Sequence, residues 1–74
     1  MRARPVKRSL TLHGHRTSVS LEDAFWQELR RIADAECLSL NAIAEQIDEA
    51  RGEAGLASAI RVWVLERSLR GPAP

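Results

Sequence analysis

A chain of 74 residues holds one domain and buries too little surface to be comfortable alone, so self-association is expected before any motif is considered. The formal net charge of +1 conceals a split: Met1 to Arg16 carries five basic residues and no acidic one, while the remainder carries six basic and all ten acidic residues. No apolar run follows the basic start and no long one occurs later, which argues against a secretory signal or a membrane span and for a cytoplasmic protein.

Residues 1 to 8 contain Pro5 and the cations Arg2, Arg4, Lys7 and Arg8 without periodicity, and are expected to form a mobile basic arm suited to a polyanion. Ser9 to Leu12 alternates, with Leu10 and Leu12 on one face. Arg16 to Leu21 alternates too, but in the opposite parity: Thr17, Val19 and Leu21 share an apolar face, and Arg16, Ser18 and Ser20 share a polar one. Something must reset the register near His13-Gly14-His15, where Gly14 suits a bulge or a tight turn. Either the strand continues through a kink or residues 9 to 12 fold back. A lone strand over about 16–21 leaves backbone groups unsatisfied, and the same strand of a second copy is the simplest partner.

The first helix is predicted over about 22–36, with Ser20 as a candidate N-cap and Leu21, Phe25, Leu29, Ile32 and Ala33 on its inward stripe. Trp26 flanks that stripe, and Gln27, Arg30, Arg31 and Asp34 form a solvated face. Cys37, the only cysteine, excludes an intramolecular disulfide and is expected as a small buried residue at the helix end. Ser39 is a good N-cap for a second helix over about 40–51, with Leu40, Ile43, Ala44 and Ile47 inward. Gly52 and Gly55 mark a turn. A third helix over about 56–69 is apolar on several sides: Ala57, Ile60 and Val64 on one, Val62, Leu65 and Leu69 on another, with Trp63 between them. Such a helix needs cover from more than one direction, and a second subunit is the natural source. Residues 71–74 read as a frayed tail.

The run from Arg16 to Asp23, the helix from Ala24 to Glu36 and the Leu38-Ser39-Leu40-Asn41 start of a second helix together resemble the ribbon-helix-helix family of dimeric DNA-binding proteins. The segment His13-Gly14-His15-Arg16-Thr17-Ser18 and the later Leu56-Ala57-Ser58-Ala59-Ile60-Arg61-Val62 are similar to a small bacterial subgroup, and the resemblance covers roughly residues 9 to 69. It implies a mainly α fold with a short N-terminal strand, assembled as an intertwined homodimer through an intersubunit antiparallel ribbon. The domain would span 9–70. Its dimer core is expected to comprise Val19, Leu21, Phe25, Leu29, Ile32, Ile43, Ile47, Ile60, Trp63 and Val64.

A two-stranded ribbon fits the major groove, so Arg16, Ser18 and Ser20 are the expected base contacts of a transcriptional regulator bound to double-stranded DNA. Arg2, Arg4, Lys7 and Arg8 would meet phosphates, as would the start of the second helix through Ser39 and Asn41. The two serines are shorter than the amide or basic readers of many family members. The competing expectation is a dimeric interaction module, antitoxin-like, whose third helix binds a protein partner with weak or no DNA contact. His13 and His15, two apart on one strand, would make at most an incomplete metal site. No cofactor is expected, and no nucleophile with an adjacent base or paired carboxylate suggests catalysis.

Overall fold

The computed structural model describes residues 4–70. The expectations for Arg2 and for the C-terminal tail fall outside them. Within this range two strands precede three helices: β1 Pro5–Leu12, β2 His15–Glu22, α1 Asp23–Ala35, α2 Leu40–Ala50 and α3 Leu56–Leu69.

The opposite parity of the two alternating runs resolves into an antiparallel hairpin. Leu10 pairs with Thr17 and Leu12 with His15, so even-numbered residues of β1 share a face with odd-numbered residues of β2. The turn is the two residues His13 and Gly14, with φ of 52° and 79°. Positive φ at both central positions is what a type I′ hairpin turn requires, and Gly14 adopts it at no steric cost. Residues 9 to 12 therefore fold back, and within the chain β1 is the partner of β2. Residues 5–8, expected within a mobile arm, belong to β1.

One face of the hairpin lies on the helices. Leu10, Leu12, Val19 and Leu21 are buried there against Trp26, Leu29, Ile43, Ile47, Ile60 and Val64. The four largest fully buried side chains, Leu21, Leu29, Ile43 and Ile60, come from β2, α1, α2 and α3 respectively. Full burial of each such side chain is worth roughly 1.5–3 kcal/mol as an upper estimate. β2 and each of the three helices thus supply one anchor to a single core, and β1 adds Leu10 and Leu12. Val19, Leu21, Leu29, Ile32, Ile43, Ile47, Ile60 and Val64, expected at a dimer interface, fill this intrachain core, while Phe25 and Trp63 pack at its margin.

The helix ends depart from expectation in two places. Ser20 is a β2 residue, and α1 starts at Asp23 with no side-chain cap. At its C-terminus Cys37 is exposed with φ of 57°, its N–H donating to the Asp34 carbonyl while Leu38 N–H donates to the Ala33 carbonyl. These paired bonds form a Schellman closure, with cysteine at the left-handed position that glycine usually fills. Packing thus gives way to backbone geometry as the constraint at Cys37. Trp26, expected at the edge of the α1 stripe, is buried, and its indole N–H donates to the Val6 carbonyl at 2.8 Å.

The ends of α2 and α3 agree closely with their periodicity. Ser39 caps α2 by accepting from the Ala42 N–H at 3.0 Å. On α3, Ile60 and Val64 face the core, while Val62, Leu65 and Leu69 are exposed.

Candidate nucleic-acid interface

The face of the hairpin turned away from the helices carries Lys7 opposite Ser20, Ser9 opposite Ser18 and Thr11 opposite Arg16. Lys7, Ser9, Thr11, Arg16 and Ser18 are exposed and Ser20 is half-buried. Arg16, Ser18 and Ser20 therefore share one surface, as their spacing requires, and β1 adds a second row of polar side chains beside them. Ser9 and Thr11 were not legible as part of this surface until β1 folded back, although the parity change at Gly14 is the signal that reveals them.

Glu22, at the base of the hairpin, is the acidic residue of the two strands. Arg61 of α3 engages it through Nε at 2.9 Å and a terminal guanidinium nitrogen at 3.2 Å. That hydrogen bonding holds the Glu22 carboxyl below its ordinary range. Arg61 also donates to the Ser20 carbonyl at 3.4 Å, so one side chain neutralises Glu22 and ties α3 to the ribbon. Lys7 and Arg16 have no ion-pair partner among the described residues.

The tip of the hairpin is different. The His13 N–H donates to Glu45 at 2.8 Å, and its imidazole lies 3.7 Å from Asp48 and 3.8 Å from Glu49. The turn separates His13 from His15, which opens β2 opposite Leu12, so the two do not share one strand as a common metal site would need. Among the described residues no group of three or more metal-ligating side chains is assembled. The carboxylates of α2 beside His13 disfavour a polyanion on that side of the tip, whereas Lys7 and Arg16 lie on the outer face of the hairpin.

A family model described as a ribbon-helix-helix domain matches residues 5–68. The chain belongs to the ribbon-helix-helix domain family. Domains of this family generally bind DNA as transcription regulators and are generally non-enzymatic. No curated protein and no solved structure matches the chain.

Within this ribbon-helix-helix domain the other expected phosphate contacts occupy distinct positions. Arg4 is exposed just ahead of β1. Arg8 does not share the outer ribbon face: it lies opposite Val19, with its guanidinium 5.7 Å from the Trp26 ring centre. Arg30, placed on a solvated face by periodicity, joins Arg8, Gln27 and Leu40 around the same small hollow beside Trp26. The Asn41 side-chain oxygen accepts from the Thr11 N–H at 3.4 Å, coupling the start of α2 to β1. Ser39 is occupied as a cap, yet the remaining first-turn N–H groups of α2 keep the positive end of its dipole. No helix among the described residues is long and apolar enough to cross a membrane.

Proposed function

We propose that this protein is a transcription regulator that binds double-stranded DNA as a homodimer, with the outward face of each hairpin in the major groove. Arg16 donates two hydrogen bonds to a guanine edge, a contact worth roughly 1–3 kcal/mol of discrimination. Ser9, Thr11, Ser18 and Ser20 supply short hydroxyls that tolerate several bases. Lys7 and Arg4 meet phosphates beside the groove, and Arg8 does so from the flank of the ribbon. The start of α2, with Ser39 and Asn41, sits against a further phosphate. Arg2 joins the electrostatic capture of the backbone.

The observation that carries this reading is the composition of one face: two cations and four hydroxyl side chains in register across the hairpin, with the neighbouring carboxylate of Glu22 engaged by Arg61. A two-stranded ribbon has dimensions that the major groove admits. The exposed apolar stripe of α3 supports a second reading, a protein-interaction module with weak or no duplex binding.

Titration of duplex DNA at several salt concentrations separates the two. Each phosphate-contacting cation contributes about one to the slope of log affinity against log salt, so Lys7→Ala is expected to flatten it by about that amount. Absence of duplex binding at low salt contradicts the DNA-binding reading and favours the interaction module.

A further inference from the structure

Arg31, Arg51, Arg61 and Arg67 are ion-paired, with Glu28, Asp48, Glu22 and Glu36 respectively. Arg30, the neighbour of Arg31 on α1, has no ion-pair partner among the described residues, and neither has Arg8 of β1. Both line one hollow of about 80 Å³, whose wall also holds Asp23, Trp26, Gln27 and Leu40.

We infer that this hollow is a phosphate site, in which Arg8 from β1 and Arg30 from α1 hold one oxyanion between them. The inference deepens the DNA-binding reading and rests on it for one source of the phosphate, the duplex backbone; the other source of the same chemistry is a free phosphate ion. Two guanidiniums brought to one small hollow repel each other, and an anion between them replaces that repulsion with two attractions. Each offers N–H donors in the fork geometry that suits a phosphate. Arg8 lies over the Trp26 ring, 5.7 Å from its centre, and Trp26 is itself held by its indole bond to the Val6 carbonyl. A cation over a ring keeps its N–H edge for an acceptor.

The rest of the wall agrees with an anion. Leu40 is the first residue of α2, and Ser39 caps that helix by accepting from the Ala42 N–H, so the Leu40 and Asn41 N–H groups have no acceptor within the helix. The helix start thus adds positive potential to a site built by side chains of β1 and α1. Among the described residues of the wall, Asp23 is the one carboxylate. It accepts from the Gln27 side chain at 2.5 Å and lies in the first turn of α1, where the positive end of that helix offsets its charge. A hollow of this size admits a tetrahedral oxyanion and excludes a nucleoside, so it senses charge and not base identity. Arg8 stands in β1 between Lys7 and Ser9 of the outer face, which puts the hollow beside the ribbon, where the backbone of a seated duplex passes.

The test compares Arg30→Gln with Arg31→Gln in the full chain, by duplex titration over a range of salt and by the NMR signal of the Trp26 indole N–H. Arg30 is exposed on α1, so its replacement is expected to leave the circular dichroism unchanged. Arg30→Gln is expected to weaken preferred and scrambled duplexes alike by about tenfold, and to flatten the slope of log affinity against log salt by about one. Arg30→Lys is expected to restore the slope, and Arg31→Gln, which removes a cation already paired with Glu28, to leave it unchanged. The Trp26 indole signal is expected to shift when duplex is added to the wild type and to stay in place in Arg30→Gln. Inorganic phosphate, added against chloride at matched ionic strength, tests the free source through the same signal. A protein that binds no duplex yet shows this shift with phosphate loses the DNA-binding reading and keeps the site. Duplex binding with equal salt slopes in Arg30→Gln and the wild type, and an indole signal unmoved by duplex or phosphate, overturns the inference and leaves the DNA-binding reading intact.

Discussion

Arg16 stands directly opposite Thr11 across the hairpin, on the face turned away from the core. This pairing makes β1 part of the surface that β2 alone seemed to define, and it puts a guanidinium and a hydroxyl side by side near the turn. Replacing Arg16 with Ala is expected to weaken binding to a preferred duplex by roughly 1–3 kcal/mol and to relax preference at one base pair. Lys7→Ala, in contrast, should weaken all duplexes alike. Parallel titrations against a preferred and a scrambled duplex check both outcomes. Equal losses on the two duplexes for Arg16→Ala would remove it as a base reader.

Ser39 has two roles that substitution can separate. Asp caps a helix as well as Ser does, whereas Ala loses about 1 kcal/mol of cap energy. Ser39→Asp is therefore expected to retain the stability of the wild type in urea denaturation. Its added negative charge at the start of α2 is expected to reduce duplex affinity several-fold by repelling the phosphate there. Unchanged affinity in Ser39→Asp would show that no phosphate sits at this helix end.

Cys37 occupies a left-handed position without making use of its side chain in packing. A left-handed residue other than glycine costs about 1–2 kcal/mol, offset in part by the greater chain entropy that glycine loses on folding. Cys37→Gly should gain roughly 0.5–1 kcal/mol in denaturant unfolding. A loss of stability would show that the thiol makes a contact that matters.

Trp26→Phe preserves most of the buried ring but leaves the Val6 carbonyl without its indole donor. The expected cost is about 1–2 kcal/mol, with earlier amide exchange in the outer half of β1. Uniform exchange across the chain would instead place the loss in the whole core.

The Arg61 contact with Glu22 gives stability a dependence on acid. Hydrogen bonding to Arg61, with the coulombic attraction adding to it, depresses the Glu22 carboxyl in the folded chain. A depressed folded value stabilises at pH above the ordinary carboxylate range, and that contribution disappears as pH falls through the folded value. Glu28 behaves likewise through Arg31 and Ser68. Glu22→Gln should therefore lose less stability than the wild type between neutral pH and pH below the carboxylate range. Coincident acid profiles would show that the pair does not persist in solution.

How much of this was legible in the sequence depended on how local each determinant was. The α2 cap at Ser39 and the 3.6-residue pattern of α2 and α3 lie within short windows, and those elements begin where their residues indicate. The polar face of β2 follows from alternation alone. Pairing is less local: the parity change across His13-Gly14 allowed either a kink or a return, and only the hydrophobic match of Leu10 and Leu12 to the helices selects the return. Phe25 and Trp26 are neighbours on α1, and either can point inward by periodicity. The hairpin laid over α1 decides for Trp26, because Val6 offers its carbonyl there. Arg61 and Glu22, 39 positions apart, carry no sequence signal of their contact.

The central claim is that the outward face of the hairpin meets the duplex, and amide shift mapping during a titration with double-stranded DNA tests it most directly. The expected result is a contiguous set of perturbed amides at Lys7, Ser9, Thr11, Arg16, Ser18 and Ser20, extending to the first turn of α2. Perturbations confined to α3 with the ribbon unmoved would contradict the account.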